Sequence, residues 1–214
     1  MIKKGKHYYA PPEDECLGIE QLVGVAEETE AEPSPAACQD NAGGCDFSSA
    51  ETRHETAEKT QDEEFSEDDI RFMHRAMELA AEAEALDEVP VGALIVRDGR
   101  IISEGYNTRE SDKCAVCHAE INAIISACRA LGGWRLPGTT LYVTMEPCAM
   151  CAGAIMNARI PRVVYGAPDL RFGAMGSLFD LSEMAVNHRP SVTRGVLGKE
   201  CAGALTAYFR RKRG

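Results

Sequence analysis

Two short segments decide how this chain of 214 residues must fold: His118-Ala119-Glu120 and Pro147-Cys148-Ala149-Met150-Cys151. They supply three zinc-ligand side chains, and distant segments can share one ion only if the fold brings them to a single point. A structural zinc site closes with four protein ligands, whereas a catalytic one stops at three and leaves the fourth place to water. Glu120 is a carboxylate beyond the ligand set. Three ligands plus such a carboxylate is the stoichiometry of a site that activates water, with His118, Cys148 and Cys151 on the zinc and Glu120 moving protons.

The sequence around these segments predicts alternating helices and strands. Ser66 can cap a helix whose first turn is acidic, and Ile70, Met73, Met77, Ala80 and Ala81 form its apolar stripe, with His74 on the surface. Val89 to Val96 reads as a buried strand. Asp98-Gly99 is a hairpin turn, and Ile101 to Tyr106 is the returning strand. A polar loop, Asn107 to Lys113, leads towards a helix from His118 with Ile121, Ile124, Ile125, Cys128 and Leu131 as its stripe, stopped at Gly132-Gly133. Thr140 to Thr144 is a strand, Cys148 to Ala158 a helix with Pro147 in its first turn, Arg162 to Tyr165 a fourth strand and Val192 to Leu197 a fifth. Lys199 to Lys212 is a closing helix. This order predicts an α/β fold, a mixed five-stranded sheet between helix layers. Both metal segments then open helices, whose N-termini favour thiolate and hydroxide.

Charge divides the chain. Residues 1–64 carry 5 basic and 16 acidic groups, a net of −11, among Pro, Gly and few large apolar residues, which predicts an acidic disordered extension before a domain of residues 65–214. Residues 65–128 carry 6 basic and 13 acidic groups; residues 129–214 carry 12 and 5. A basic C-terminal half, ending Arg210-Arg211-Lys212-Arg213, suits an anionic partner, although a solvated helix end explains the same run. The nine cysteines are odd in number and spaced as metal or thiol pairs rather than as a disulfide framework. No apolar run is long enough to span a bilayer and no signal-peptide core follows the N-terminus. The expectation is a cytoplasmic protein, without a membrane partner, whose thiols are reduced.

H-x-E followed by P-C-x-x-C resembles the zinc nucleobase and nucleoside deaminases. Glu88-Val89-Pro90-Val91-Gly92-Ala93, Glu104-Gly105-Tyr106-Asn107, Leu141 to Pro147, Gly173 to Leu178, Asn187-His188-Arg189 and the ending Phe209 to Arg213 resemble bacterial tRNA-specific adenosine deaminases, a likeness covering roughly residues 66–213. The resemblance implies a three-layer cytidine-deaminase-like fold. It also implies hydrolytic deamination of adenosine to inosine at the wobble position of a tRNA anticodon arm, by a homodimer. It implies that Asn107 and the Ala119 backbone bind the flipped base and that Asp169 lies near the anticodon. Arg210, Arg211, Lys212 and Arg213 would contact phosphates.

Asp112-Lys113-Cys114-Ala115-Val116-Cys117 is a longer approach to the zinc histidine than that family's, and it adds two cysteines. Three other readings compete. Cys114 to His118 spells a c-type haem attachment motif, which requires export. Cys114/Cys117 with Cys148/Cys151 would make a four-cysteine structural zinc module, with no enzyme at all. A deaminase of a free base, nucleoside or nucleotide (guanine, cytosine or deoxycytidylate) is the enzymatic alternative.

Overall fold

The computed structural model describes residues 65–213; the acidic extension expected over residues 1–64 lies outside the described residues. Helix α1 spans Glu67–Ala85, and the hydroxyl of Ser66 accepts the N–H of Asp69 at 3.1 Å, as its capping position predicts. Strands β1 (Gly92–Arg97) and β2 (Arg100–Tyr106) form a hairpin through Asp98 and Gly99, both at positive φ (51° and 71°), the conformation a two-residue I′ turn requires. Then follow α2 (Arg109–Asp112), α3 (Ala119–Leu131), β3 (Thr139–Met145), α4 (Ala149–Asn157), β4 (Arg162–Ala167), β5 (Ser191–Arg194) and α5 (Gly198–Arg213).

The five-stranded sheet has the order β2-β1-β3-β4-β5. β1 runs antiparallel to β2 and β3, while β3, β4 and β5 are parallel. Strand side chains alternate between two cores. Ala93, Ile95, Leu141, Val143, Val163 and Tyr165 face α3 and α4. Leu94, Val96, Tyr142 and Val164 face α1 and α5. The three-layer mixed α/β fold is thus as expected from the sequence. Among the described residues no helix is long and apolar enough to cross a membrane.

Several details differ from the expectations. The buried face of α1 is Asp69, Phe72, Met73, Ala76, Leu79, Ala80 and Ala83; Ala81 is exposed, so the stripe is rotated towards Phe72 and Leu79. His74 is exposed, as expected. On α3 the buried residues are Ala119, Glu120, Ala123, Ile124 and Ala127, while Ile125 is exposed. The polar loop contains a helical turn, α2, because the buried carboxylate of Glu88 accepts the N–H groups of Glu110 (3.2 Å) and Ser111 (2.6 Å) at its start. Pro147 precedes α4 rather than lying in its first turn. β5 ends at Arg194 because Gly195 (φ 87°) turns the chain, and Val196 is buried beyond it.

A half-buried ion pair fastens α1 to the sheet. Asp69 accepts both guanidinium nitrogens of Arg162 (2.9 and 2.8 Å) and the hydroxyl of Tyr142 (2.8 Å). Burial alone would raise the Asp69 carboxyl, but Arg162, Tyr142 and Ser66 outweigh it and hold it below its ordinary value.

On the opposite face α3 lies unusually close to β2. A Cβ on Gly105 would meet the Ala119 carbonyl oxygen and the Ala123 nitrogen, each at 2.6 Å. Glycine there lets the N-terminal turn of α3, which carries His118 and Glu120, settle against the sheet. Gly105→Ala is expected to push that turn outward, costing about 2 kcal/mol in urea unfolding. In the same variant, zinc affinity should fall in a chelator competition. Unchanged zinc affinity would separate the helix position from the site.

Candidate metal centre and substrate pocket

His118 and Cys148 occupy equivalent places, the N-cap positions of α3 and α4. Neither side chain caps its own helix. Both turn instead towards a shared point, where Cys151, in the first turn of α4, joins them. His118 Nδ1 lies 3.8 Å from Cys148 Sγ and 3.5 Å from Cys151 Sγ, and the three donor atoms all lie within 4.8 Å of one another. Tetrahedral zinc with ordinary Zn–N and Zn–S bonds sets N···S at about 3.6 Å and S···S at about 3.8 Å. The two N···S distances match a single tetrahedral zinc ion, and the third separation lies within the 4.8 Å bound.

Their electrostatics also call for a cation. The Cys148 thiol is brought down to about 4, first by hydrogen bonding from Cys151, then from His118. The Cys151 thiol is pushed far up, by Cys148 beside it, by burial and by the nearby Glu120. A divalent ion held by both sulfurs would favour both as thiolates. The two helix N-termini add partial positive charge at the same place.

Glu120 is 4% exposed, in the first turn of α3 beside this cluster. Burial raises its carboxyl above the ordinary value, with the His118 charge pulling the other way. Cys114 and Cys117 are free thiols, and neither belongs to the metal-competent cluster among the described residues. The four-cysteine structural module is thereby excluded, because the second pair stands outside the donor set.

His118, Cys148 and Glu120 line a cavity of about 280 Å³. Asn107, Ala119 and Asp169, singled out from the sequence, all line it. Asn107 is buried, and its amide nitrogen donates to Glu88 Oε2 at 3.0 Å. An ionised carboxylate only accepts, so Glu88 fixes which end of the Asn107 amide faces it. Burial would raise the Glu88 carboxyl, but the N–H groups of Ser111 and Glu110 prevail and hold it below the usual range. Ala119 opens α3, where the first N–H groups have no partner within the helix and can face a ligand. Asp169 accepts the N–H groups of Arg171 (2.9 Å) and Phe172 (3.3 Å), which shapes its loop as well as the cavity wall.

Glu88 and Glu146 carry no role in the sequence reading, yet both organise this wall. Glu146, 3% exposed, accepts the N–H groups of Asp169, Met175 and Ser177, each at 3.0 Å. One carboxylate thus gathers the loop after β4 around the cavity. A signal for both was present: an acid beside a buried apolar strand, with no basic neighbour. Arg109 and Phe172, also on the cavity wall, were missed as well. The C-terminal cations are not on it. Arg211 pairs with Glu84 (2.5 Å) and Lys212 with Asp87 (2.6 Å), while Arg213 donates to the Phe209 carbonyl (3.2 Å).

Fold and site together define a zinc-dependent hydrolytic centre of the deaminase type. The cytidine and deoxycytidylate deaminase zinc-binding region matches residues 66–167. The tRNA-specific adenosine deaminase of Bacillus subtilis is 47% identical over 146 residues, covering 68% of this chain and 91% of that protein. The tRNA-specific adenosine deaminase of Haemophilus influenzae is 47% identical over 150 residues, covering 69% and 87%. A structure solved in work on A-to-I editing by tRNA:A34 deaminases superposes with a TM-score of 0.60 at 45% identity, covering 63% of this chain and 98% of that one. The chain belongs to the cytidine and deoxycytidylate deaminase family, in its tRNA-specific adenosine deaminase branch.

Glu88→Gln keeps the shape of the side chain but turns an amide nitrogen towards N–H donors. It should destabilise the protein by about 2 kcal/mol in urea unfolding. It should also raise KM for the substrate more than it lowers kcat, because Asn107 loses its fixed orientation. A variant with wild-type stability and KM would remove Glu88 from the site.

Proposed function

We propose that the chain converts adenosine to inosine at wobble position 34 of a tRNA anticodon, releasing ammonia. The carrying observation is the 47% identity to the Bacillus subtilis tRNA-specific adenosine deaminase across 91% of that protein. The A34 subject of the superposed structure supports the position. The activity is assigned to residues 65–214, with residues 1–64 as an extension, and a cytoplasmic location accompanies it.

His118, Cys148 and Cys151 would hold the zinc. When bound, zinc acts as a Lewis acid that lowers the pKa of a water from about 15.7 to about 7. Asn107 and the Ala119 N–H would hold the flipped base by its polar edge, and the cavity walls exclude bulk water. Glu120 would carry a proton from the attacking water to the purine ring nitrogen, then deliver one to the departing amine. Its raised carboxyl pKa suits a group that must both take and give a proton. Asp169 and Phe172, on the cavity wall, would meet the nucleotides flanking the flipped base.

The test is an anticodon stem-loop with adenosine at position 34, run beside free adenosine, guanine and cytosine compounds. Inosine should appear in the RNA alone; turnover of a free compound without RNA turnover would sink the assignment. Glu120→Gln should keep one zinc per chain and lose roughly 10³-fold in rate. Loss of the metal in that variant would instead make Glu120 a ligand.

The active form is read as a homodimer. Ile125 (44% exposed), Trp134 (55%), Leu178 (55%) and Met184 (54%) offer apolar surface on and around α3 and the loop after β4, and a second copy would cover it. Light scattering on the purified protein should return twice the chain mass, and Ile125→Glu with Trp134→Glu should halve it. A monomer with full RNA activity would refute the dimer.

A further inference from the structure

Cys114 and Cys117 remain unexplained by the zinc site, and they sit at the two ends of one tight turn. The Cys117 N–H donates to the Cys114 carbonyl at 3.2 Å, with Ala115 and Val116 at the corners. A β-turn keeps its terminal Cα atoms within about 7 Å, and a disulfide spans Cα separations of about 4.4–6.8 Å. The turn therefore needs little displacement to accept a bridge. Both cysteines are half-buried free thiols, and Val116 between them is 50% exposed, so the turn lies at the surface. The thiolate is the attacking form in disulfide exchange.

We infer that Cys114 and Cys117 form a thiol–disulfide exchange site, separate from the zinc ligands, that takes disulfides of the glutathione type as co-reactant. The Cys114 thiolate attacks one sulfur of the co-reactant. The S–S bond breaks, and one thiolate leaves with the electron pair. Cys117 then loses its proton to solvent and attacks the Cys114 sulfur, expelling the second thiolate. Two protein S–H groups become one S–S bond, and the co-reactant gains two electrons and leaves as two thiols. The bridge closes over a turn tied into the cavity rim: the Cys117 carbonyl accepts the Thr108 N–H at 3.0 Å, and the Cys114 N–H donates to the Arg109 carbonyl at 3.1 Å. The donors of the metal cluster lie outside it.

The full-length, zinc-loaded protein is incubated with oxidised glutathione, denatured, alkylated and sequenced by tandem mass spectrometry. One tryptic peptide runs from Cys114 to Arg129 and also contains Cys128, so fragment ions must place the bond. Two alkylated thiols should be lost, at Cys114 and Cys117, with zinc per chain unchanged and full recovery in dithiothreitol. Cys117→Ser should trap glutathione on Cys114 as a stable mixed disulfide, and the Cys114→Ser, Cys117→Ser double variant should keep its zinc and show neither product. The inference fails if both thiols remain fully alkylated after treatment. It also fails if zinc is released in step with oxidation at Cys148 and Cys151, or if the double variant loses its metal.

Discussion

Three donor atoms on two helices must meet within the radius of one small cation, and most of the structure follows from that demand. His118 and Cys148 solve it in the same way: each ends an incoming segment at a helix N-cap and leaves its own helix uncapped. β3 and β4 are parallel with α4 crossing between them, and β1 lies antiparallel against β3, which brings α3 alongside α4 on one face of the sheet. The N-termini of α3 and α4 then converge. Glycine at position 105 removes the last obstacle to close approach. Cys148 and Cys151 sit side by side, and a cation bound between them would favour both as thiolates.

Much of this was legible in the sequence because it is local. Residue type and spacing identified the three ligands and Glu120, and periodicity located every strand of the sheet. The failures share a cause: they depend on what lies across space. Helical spacing alone admits Ala81 to the apolar stripe of α1, yet Ala81 is exposed and Phe72 and Leu79 form the buried face. Ile125 is apolar yet outside the core, and a helical period cannot distinguish a core face from a second apolar face. α2 and the loop after β4 form because Glu88 and Glu146 collect backbone N–H groups from residues far along the chain. No short-range pattern reports such a partnership.

The charge division of the sequence acquires a different meaning in three dimensions. The acidic and basic halves of residues 65–214 are in part each other's partners. Asp69 binds Arg162, Glu84 binds Arg211 and Asp87 binds Lys212. The Tyr208 hydroxyl donates to the Asp87 carbonyl at 2.9 Å, so α5 is clamped to the end of α1 by more than charge. Two of the four terminal cations are therefore engaged before any polyanion arrives. Their pairs are exposed and weak, so a phosphate could displace the carboxylates at modest cost.

The buried carboxylate of Glu146 has a consequence for how substrates are chosen. By fastening Asp169, Met175 and Ser177 to a single anchor, it gives the pocket wall a shape that exists before any ligand enters. A receptor of that kind does little bending of its own. With the proposed RNA substrate, the deformation needed for recognition would fall on the nucleic acid, and loops that already splay a base outward would have the least distance to travel. Under that reading selectivity would reside partly in the mechanics of the RNA, in its willingness to unstack, and not only in the letters it presents.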